Sequence, residues 1–306
     1  MWSSILSPDF FSAILRAATP ILFAALASSI ASKAGITNMA LEGIMLFSAL
    51  FGVIFSSLTQ SAWLGMLITM VLGGLIGLAL AFFVLNLKTD EILAAIAINL
   101  TATGGTVLLM VAFSGDRGVS SSIRSVSAPS VVIPLVDQIP FIGQILSGQN
   151  VMVWMSLLAV VILHLFLYKT PMGLAIRAVG ENKNAAESVG ISSRKVQYIA
   201  LIISGALAAL GGFYLSGGYM NMFTKDMTSG RGYIGLAAAS MGGNTPVGGF
   251  LVSLLFGMAQ ALANIMQLTS VMPYEIILMI PYLTTLVGLG VYYYAQKRKK
   301  ERLSGK

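Results

Sequence analysis

Apolar residues fall in long windows along this chain, at about 9–31, 39–57, 62–86, 92–114, 151–168, 196–218, 232–266 and 274–295. A helix needs roughly 20 apolar residues to cross the hydrocarbon core of a bilayer, so the pattern predicts about 8–10 transmembrane helices. The expected fold is an all-α polytopic membrane bundle forming a single transmembrane domain over 1–306. The first window opens too early and runs too long for a cleaved signal, and it has neither a basic leader nor a small-residue cleavage pattern. It is read as the first span.

Two windows are interrupted. Gly232 to Met266 is too long for one helix and contains Gly242-Gly243-Asn244-Thr245-Pro246 and Gly248-Gly249. It is predicted as a short helix, Tyr233 to Met241, followed by a full span from about Val247. A comparable interruption lies at Lys33 to Asn38. Irregular backbone at membrane depth survives only where protein or a water-filled cavity satisfies its polar groups. Broken segments near 33–45 and 232–246, one in each half, therefore point to a transport pathway and suggest an inverted repeat. No long self-similar stretch accompanies it.

Charge adds orientation. Lys169, Arg177, Lys183, Arg194 and Lys195 fall in the 169–195 connection, and Lys297, Arg298, Lys299, Lys300, Arg302 and Lys306 in the 296–306 tail, so both are expected to be cytoplasmic. The 115–150 loop, whose Arg117 and Arg124 are balanced by Asp116 and Asp137, then falls outside. For the tail to end inside, 219–295 must cross an odd number of times, which the short helix supplies. The net charge of +7 is concentrated in that tail and reads as contact with membrane lipid rather than with nucleic acid. With 57% hydrophobic and 9% charged residues, a soluble enzyme is excluded. No Cys and a single His argue against thiolate, zinc or haem chemistry.

The candidate polar residues are few. Glu42 either lines the pathway, accepts hydrogen bonds from a helix start, or pairs with Lys33. Asn38 is a pathway candidate or the cap of a helix beginning at Met39. Asn99, Thr103 and Thr106 recur at spacings of four and three and so share a helical face; Asn99 and Thr103, with Ser240 and Asn244 in the second broken segment, complete the pathway candidates. His164 is expected to make one interhelical hydrogen bond. Gly73-Gly74, Gly104-Gly105 and Gly211-Gly212 read as points of close helix approach. No phosphate-binding loop or Ser-His-Asp arrangement occurs, so no hydrolysis is expected from this chain itself.

The cytoplasmic stretch 169–195 contains a short helical piece, Asn184 to Val189, bounded by Gly180 and Gly190, with Ala185, Ala186 and Val189 on one side. A simple connection would need no such piece; it is read as a surface that docks into another protein. This stretch, Arg177 to Ile191, resembles the coupling loop of bacterial ABC importer permeases of the branched-chain amino acid, ribose and nucleoside group. Gly35-Ile-Thr-Asn-Met-Ala-Leu-Glu-Gly-Ile-Met45 is similar to the nucleoside branch, as are Lys225 to Ala238, Pro273-Tyr-Glu and Leu278-Met-Ile-Pro-Tyr-Leu283. The stretch Ala238-Ala-Ser-Met-Gly-Gly-Asn-Thr-Pro246 departs from the pattern and leaves the branch open.

The resemblance implies a nucleoside permease half, without a cofactor of its own, in a bacterial cell membrane. Its implied partners are a second homologous permease, a cytoplasmic ATPase carrying ATP and Mg, and an external substrate-binding lipoprotein. Gly180, Glu181, Asn182, Ala185, Ala186, Gly190 and Ile191 would face the ATPase. A sugar or branched-chain amino acid permease is the alternative. An ion-coupled carrier is disfavoured because Glu42 and His164 are too few and too scattered.

Overall fold

A computed structural model describes residues 7–116, 118–123, 125–132, 142–269 and 274–303. Each apolar window forms helix: α1 (Pro8–Lys33), α2 (Leu41–Thr59), α3 (Ala62–Leu85), α4 (Glu91–Ser114), α6 (Val151–Lys169), α9 (Ser193–Phe213), α11 (Pro246–Thr269) and α12 (Tyr274–Leu303). The long window divides as its glycines require, with α10 (Arg231–Met241) preceding α11. Short elements fill the connections: β1 (Ser130–Val131) and β2 (Gln149–Asn150) pair antiparallel, and α5 (Ile142–Leu146), α7 (Pro171–Glu181) and α8 (Lys183–Ser188) are helical. Among the described residues, seven helices are long and apolar enough to cross a membrane. The chain is a multi-pass α-helical membrane protein.

Polar side chains set the helix starts. Asp90 accepts from the Ile92 and Leu93 amides at 2.9 and 3.1 Å at the start of α4, and Asn150 accepts from Met152 at 2.9 Å at the start of α6. Each satisfies donors that a helix start leaves free. Past Phe213 the α9 helix widens into a π-helical turn, Tyr214–Tyr219. This shift brings the Gly218 carbonyl within 3.2 Å of Asn150 Nδ2 and the Gly217 carbonyl within 2.8 Å of the Ala128 amide.

Helices α1, α2 and α9 are the buried centre, while α3, α4 and α6 leave much of their apolar surface outward. Small residues permit the closest packing. A Cβ on Gly77 would lie 2.3 Å from the Leu201 carbonyl oxygen, and one on Gly205 only 2.1 Å from the Gly73 oxygen, so α3 and α9 meet backbone to backbone. Gly212 likewise faces the Met45 carbonyl. Gly104 meets nothing within 4 Å, and Gly105 only ordinary contacts, so that predicted approach point is open in this chain.

Candidate translocation site

The break between α1 and α2 is pinned from several sides. Asn38 is fully buried. Its Oδ1 accepts from the Ala40 amide at 3.0 Å, and its Nδ2 donates to Ser204 Oγ on α9 at 2.9 Å. That hydroxyl donates to the Ala27 carbonyl on α1 at 2.6 Å. Gln197 donates to the Ala34 carbonyl at 3.1 Å, and the Glu91 carboxylate accepts from the Thr37 amide at 2.9 Å. The break thus replaces helical hydrogen bonds with side-chain partners on α4 and α9. Helix α2 starts at Leu41 rather than Met39, and Asn38 closes the turn before it instead of capping it.

The second broken segment meets the first at Glu42. Its Oε1 accepts from the Gly230 amide and its Oε2 from the Gly232 amide, both at 2.7 Å. These are the first free donors of α10, so the carboxylate caps a helix remote in sequence and faces the positive end of its dipole. Gly230 takes φ +73°, open to glycine at little cost, and a Cβ on Gly232 would sit 2.6 Å from the Glu42 amide nitrogen. Of the readings open for Glu42, the helix-start carboxylate is the observed one; the sequence could not say that the helix lies 190 residues away.

Asn99 joins the same point. Its Oδ1 accepts from the Gly43 amide at 2.8 Å, and its Nδ2 donates to the Met39 carbonyl at 3.0 Å and to Tyr233 Oη at 2.9 Å. One amide thereby ties α4 to both breaks. Thr103 is exposed one turn along, its hydroxyl donating to the Asn99 carbonyl at 3.0 Å, whereas Thr106 is buried and donates to the Ala102 carbonyl at 2.7 Å. The predicted three-residue face therefore splits: Asn99 and Thr103 lie on the open side and Thr106 in the packing.

Ser240 and Asn244 lie at the far end of α10, about 15 Å from Gly230 by helical rise, and do not join this cluster. Ser240 Oγ donates to the Leu236 carbonyl at 3.0 Å, and Asn244, at φ 52°, turns the chain into α11. Residues the sequence reading missed are Tyr233 and Tyr282, 51% and 45% exposed. Tyr282 Oη donates to the Ser229 carbonyl at 2.8 Å, and Arg231 Nη1 donates to the Met227 and Thr228 carbonyls at 3.0 and 3.1 Å. The stretch Ser229-Gly-Arg-Gly-Tyr233, glycine-flanked ahead of a short helix, was the available signal.

At the end of the bundle carrying Lys33, the 169–195 connection is two helices. Gly180 is the penultimate residue of α7, just ahead of α8, and a Cβ there would come 2.1 Å from the Lys33 carbonyl oxygen. Glu181 is exposed at the α7 end; Asn182 caps α8, accepting from Ala185 at 3.0 Å; Gly190, at φ +85°, ends it, with Ile191 partly buried. The expected one-sided apolar face is corrected here. Ala186 points inward among Ile176, Val179 and Val196, while Ala185 and Val189 point outward, Val189 being 74% exposed. On a helix of one and a half turns, adjacent alanines cannot share a side.

Among the described residues His164 Nδ1 has no hydrogen-bond partner, and its ring lies 4.8 Å from that of Tyr168 on its own helix. Among the described residues, no group of three His, Cys, Asp or Glu could hold a metal ion. What the site offers is hydrogen-bonding and aromatic surface at the junction of two broken helices.

The sequence profile of the branched-chain amino acid transport system permease component matches residues 10–288. The chain belongs to this permease family. It is 31% identical over 291 residues to the guanosine ABC transporter permease protein NupQ of Bacillus subtilis, covering 90% of this chain and 89% of that one. It is 31% identical over 286 residues to the nucleoside ABC transporter permease protein NupC of Lactococcus lactis, with the same coverage. It is 32% identical over 254 residues to the putative glucose ABC transporter permease protein TsgC13 of Haloferax volcanii, covering 82% of this permease and 75% of that protein. No solved structure matches it.

Proposed function

We propose that this permease is one transmembrane half of an ATP-driven nucleoside importer of a bacterial cell membrane. The observation that carries the reading is near-full-length similarity to a guanosine and a nucleoside permease. The junction is compatible with a neutral solute: the Glu42 carboxylate is committed to two backbone amides, and the open side presents Tyr233, Asn99 and Thr103 rather than free charge.

In this reading a second, homologous permease faces α4 and α12 and closes the pathway along the Glu42–Asn99 junction. A cytoplasmic ATPase, which holds ATP and Mg, engages α8 through Lys183, Ala185 and Val189, and an external lipoprotein delivers solute at the end bearing the 115–132 loop. The 169–195 connection and the tail are cytoplasmic. Motion of α8 passes through α7 to the end of α1 by the Gly180–Lys33 contact, and from there into the break that carries Glu42.

The test is ATP hydrolysis and uptake by the intact complex in proteoliposomes. Guanosine or another nucleoside should stimulate both. Stimulation by glucose and by no nucleoside would move the permease to the second reading, which the TsgC13 similarity favours.

A further inference from the structure

A second polar feature lies away from Glu42, at the end of the bundle opposite α7 and α8. A cavity of about 370 Å³ sits between α1, the β1–β2 pair and the π-helical turn, lined among others by Ser12, Arg16, Ser147, Gln149, Asn150 and Tyr219. Among the described residues lining it, Arg16 is the one charged side chain, and none is a carboxylate. Arg16 stands about 12 Å along α1 from Pro8. A cation at that position in an apolar span needs a partner or a polar recess. Its Nε donates to the Ser12 carbonyl at a long 3.4 Å, which leaves most of the guanidinium's hydrogen-bonding capacity open.

The opposite wall leaves two polar atoms over. Gln149 is 3% exposed, and its Nε2 donates to the Ile145 carbonyl at 2.9 Å and to Ser12 Oγ. A carbonyl oxygen can only accept, so the amide orientation is fixed and Oε1 is the atom left over. Gln149 Oε1 and the neighbouring Ser147 Oγ are both buried without a partner. Such groups demand a ligand or an ordered water.

We propose that this cavity binds the headgroup of a glycerophospholipid, its phosphate on Arg16 and a headgroup N–H or O–H donated to Gln149 Oε1. A ligand that pairs with Arg16 and also satisfies Gln149 Oε1 carries both an anion and a donor, as phosphoglycerol and phosphoethanolamine headgroups do. Phosphocholine has the anion but no N–H or O–H. Free phosphate shares the anion but has no acyl chains to hold it at membrane depth.

The test is native mass spectrometry of the intact importer complex after exchange into phosphatidylglycerol, phosphatidylethanolamine or phosphatidylcholine. Phosphatidylglycerol and phosphatidylethanolamine should be retained over phosphatidylcholine by roughly ten-fold, the worth of one good hydrogen bond. Arg16→Gln should abolish retention, Arg16→Lys should keep it, and Gln149→Leu should erase the preference over phosphatidylcholine while leaving ATP hydrolysis intact as the check on folding. Equal retention of phosphatidylcholine in wild type, or undiminished retention in Arg16→Gln, overturns the proposal. So does displacement of phosphatidylglycerol by millimolar inorganic phosphate, which would mark a site for free anions.

Discussion

Replacing Glu42 probes the joint between the two broken segments. Two charge-assisted hydrogen bonds of 2.7 Å run from the Gly230 and Gly232 amides to its two carboxylate oxygens. A bond of this kind contributes about 1.5–3 kcal/mol. Because Glu42 is only half-buried, the lower end applies, and Glu42→Ala should cost about 3 kcal/mol. Glu42→Gln is not a neutral replacement. Its single oxygen can accept from one amide, and its NH₂ then faces the other donor, so about half the loss is expected. Hydrogen exchange reads this locally. The amides of Gly230 and Gly232 should exchange faster by roughly 100-fold in the Ala variant and about ten-fold in the Gln variant, at 1.36 kcal/mol per decade. Unchanged exchange at both glycines in Glu42→Ala would refute the capping role, whatever happened to uptake.

The other predictions concern packing, docking and topology. Gly205→Val should weaken the α3–α9 pair by about 1–3 kcal/mol or more, since its Cβ would meet the Gly73 carbonyl at 2.1 Å; equilibrium unfolding in mixed micelles measures it. Val189→Arg should leave a folded permease that no longer stimulates ATP hydrolysis, whereas Ala186→Arg should fail at folding, because Ala186 packs inside; pull-down of the ATPase with each variant separates the two outcomes. Cysteines at Ser121 and Ser188, both exposed, should label from opposite sides of the membrane with impermeant reagents, and labelling from one side would overturn the topology.

The helices were legible because burial in lipid demands unbroken apolar runs, and the division at Gly242 to Pro246 was legible because 35 residues exceed any single span. That the breaks must find partners followed from backbone accounting. Which partners was not legible. Glu42 and Gly232 are 190 residues apart, and Asn38 finds Ser204 at 166, separations at which one sequence carries no pairing signal. The direction of Ala186 was unreadable for another reason: alanine is small enough to sit on either side of a short helix, and only the apolar surface of α7 decides. The inward lean of Thr106 depends in the same way on how α4 rotates against α2.

The contact between Gly180 and Lys33 has a mechanical consequence. Side chains joining two moving parts act as springs: a rotamer can flip and absorb a displacement of an ångström or more. At this joint the approach is so close that no such element intervenes, and a Cβ would already collide with the Lys33 carbonyl. A tilt of α7 is therefore handed to the end of α1 nearly without slack, like meshed teeth rather than a belt. In the proposed import cycle, the stroke that reaches the break at 34–40 would be set by where the helices touch, and changes in surrounding side chains would alter the load on the joint but not its gearing.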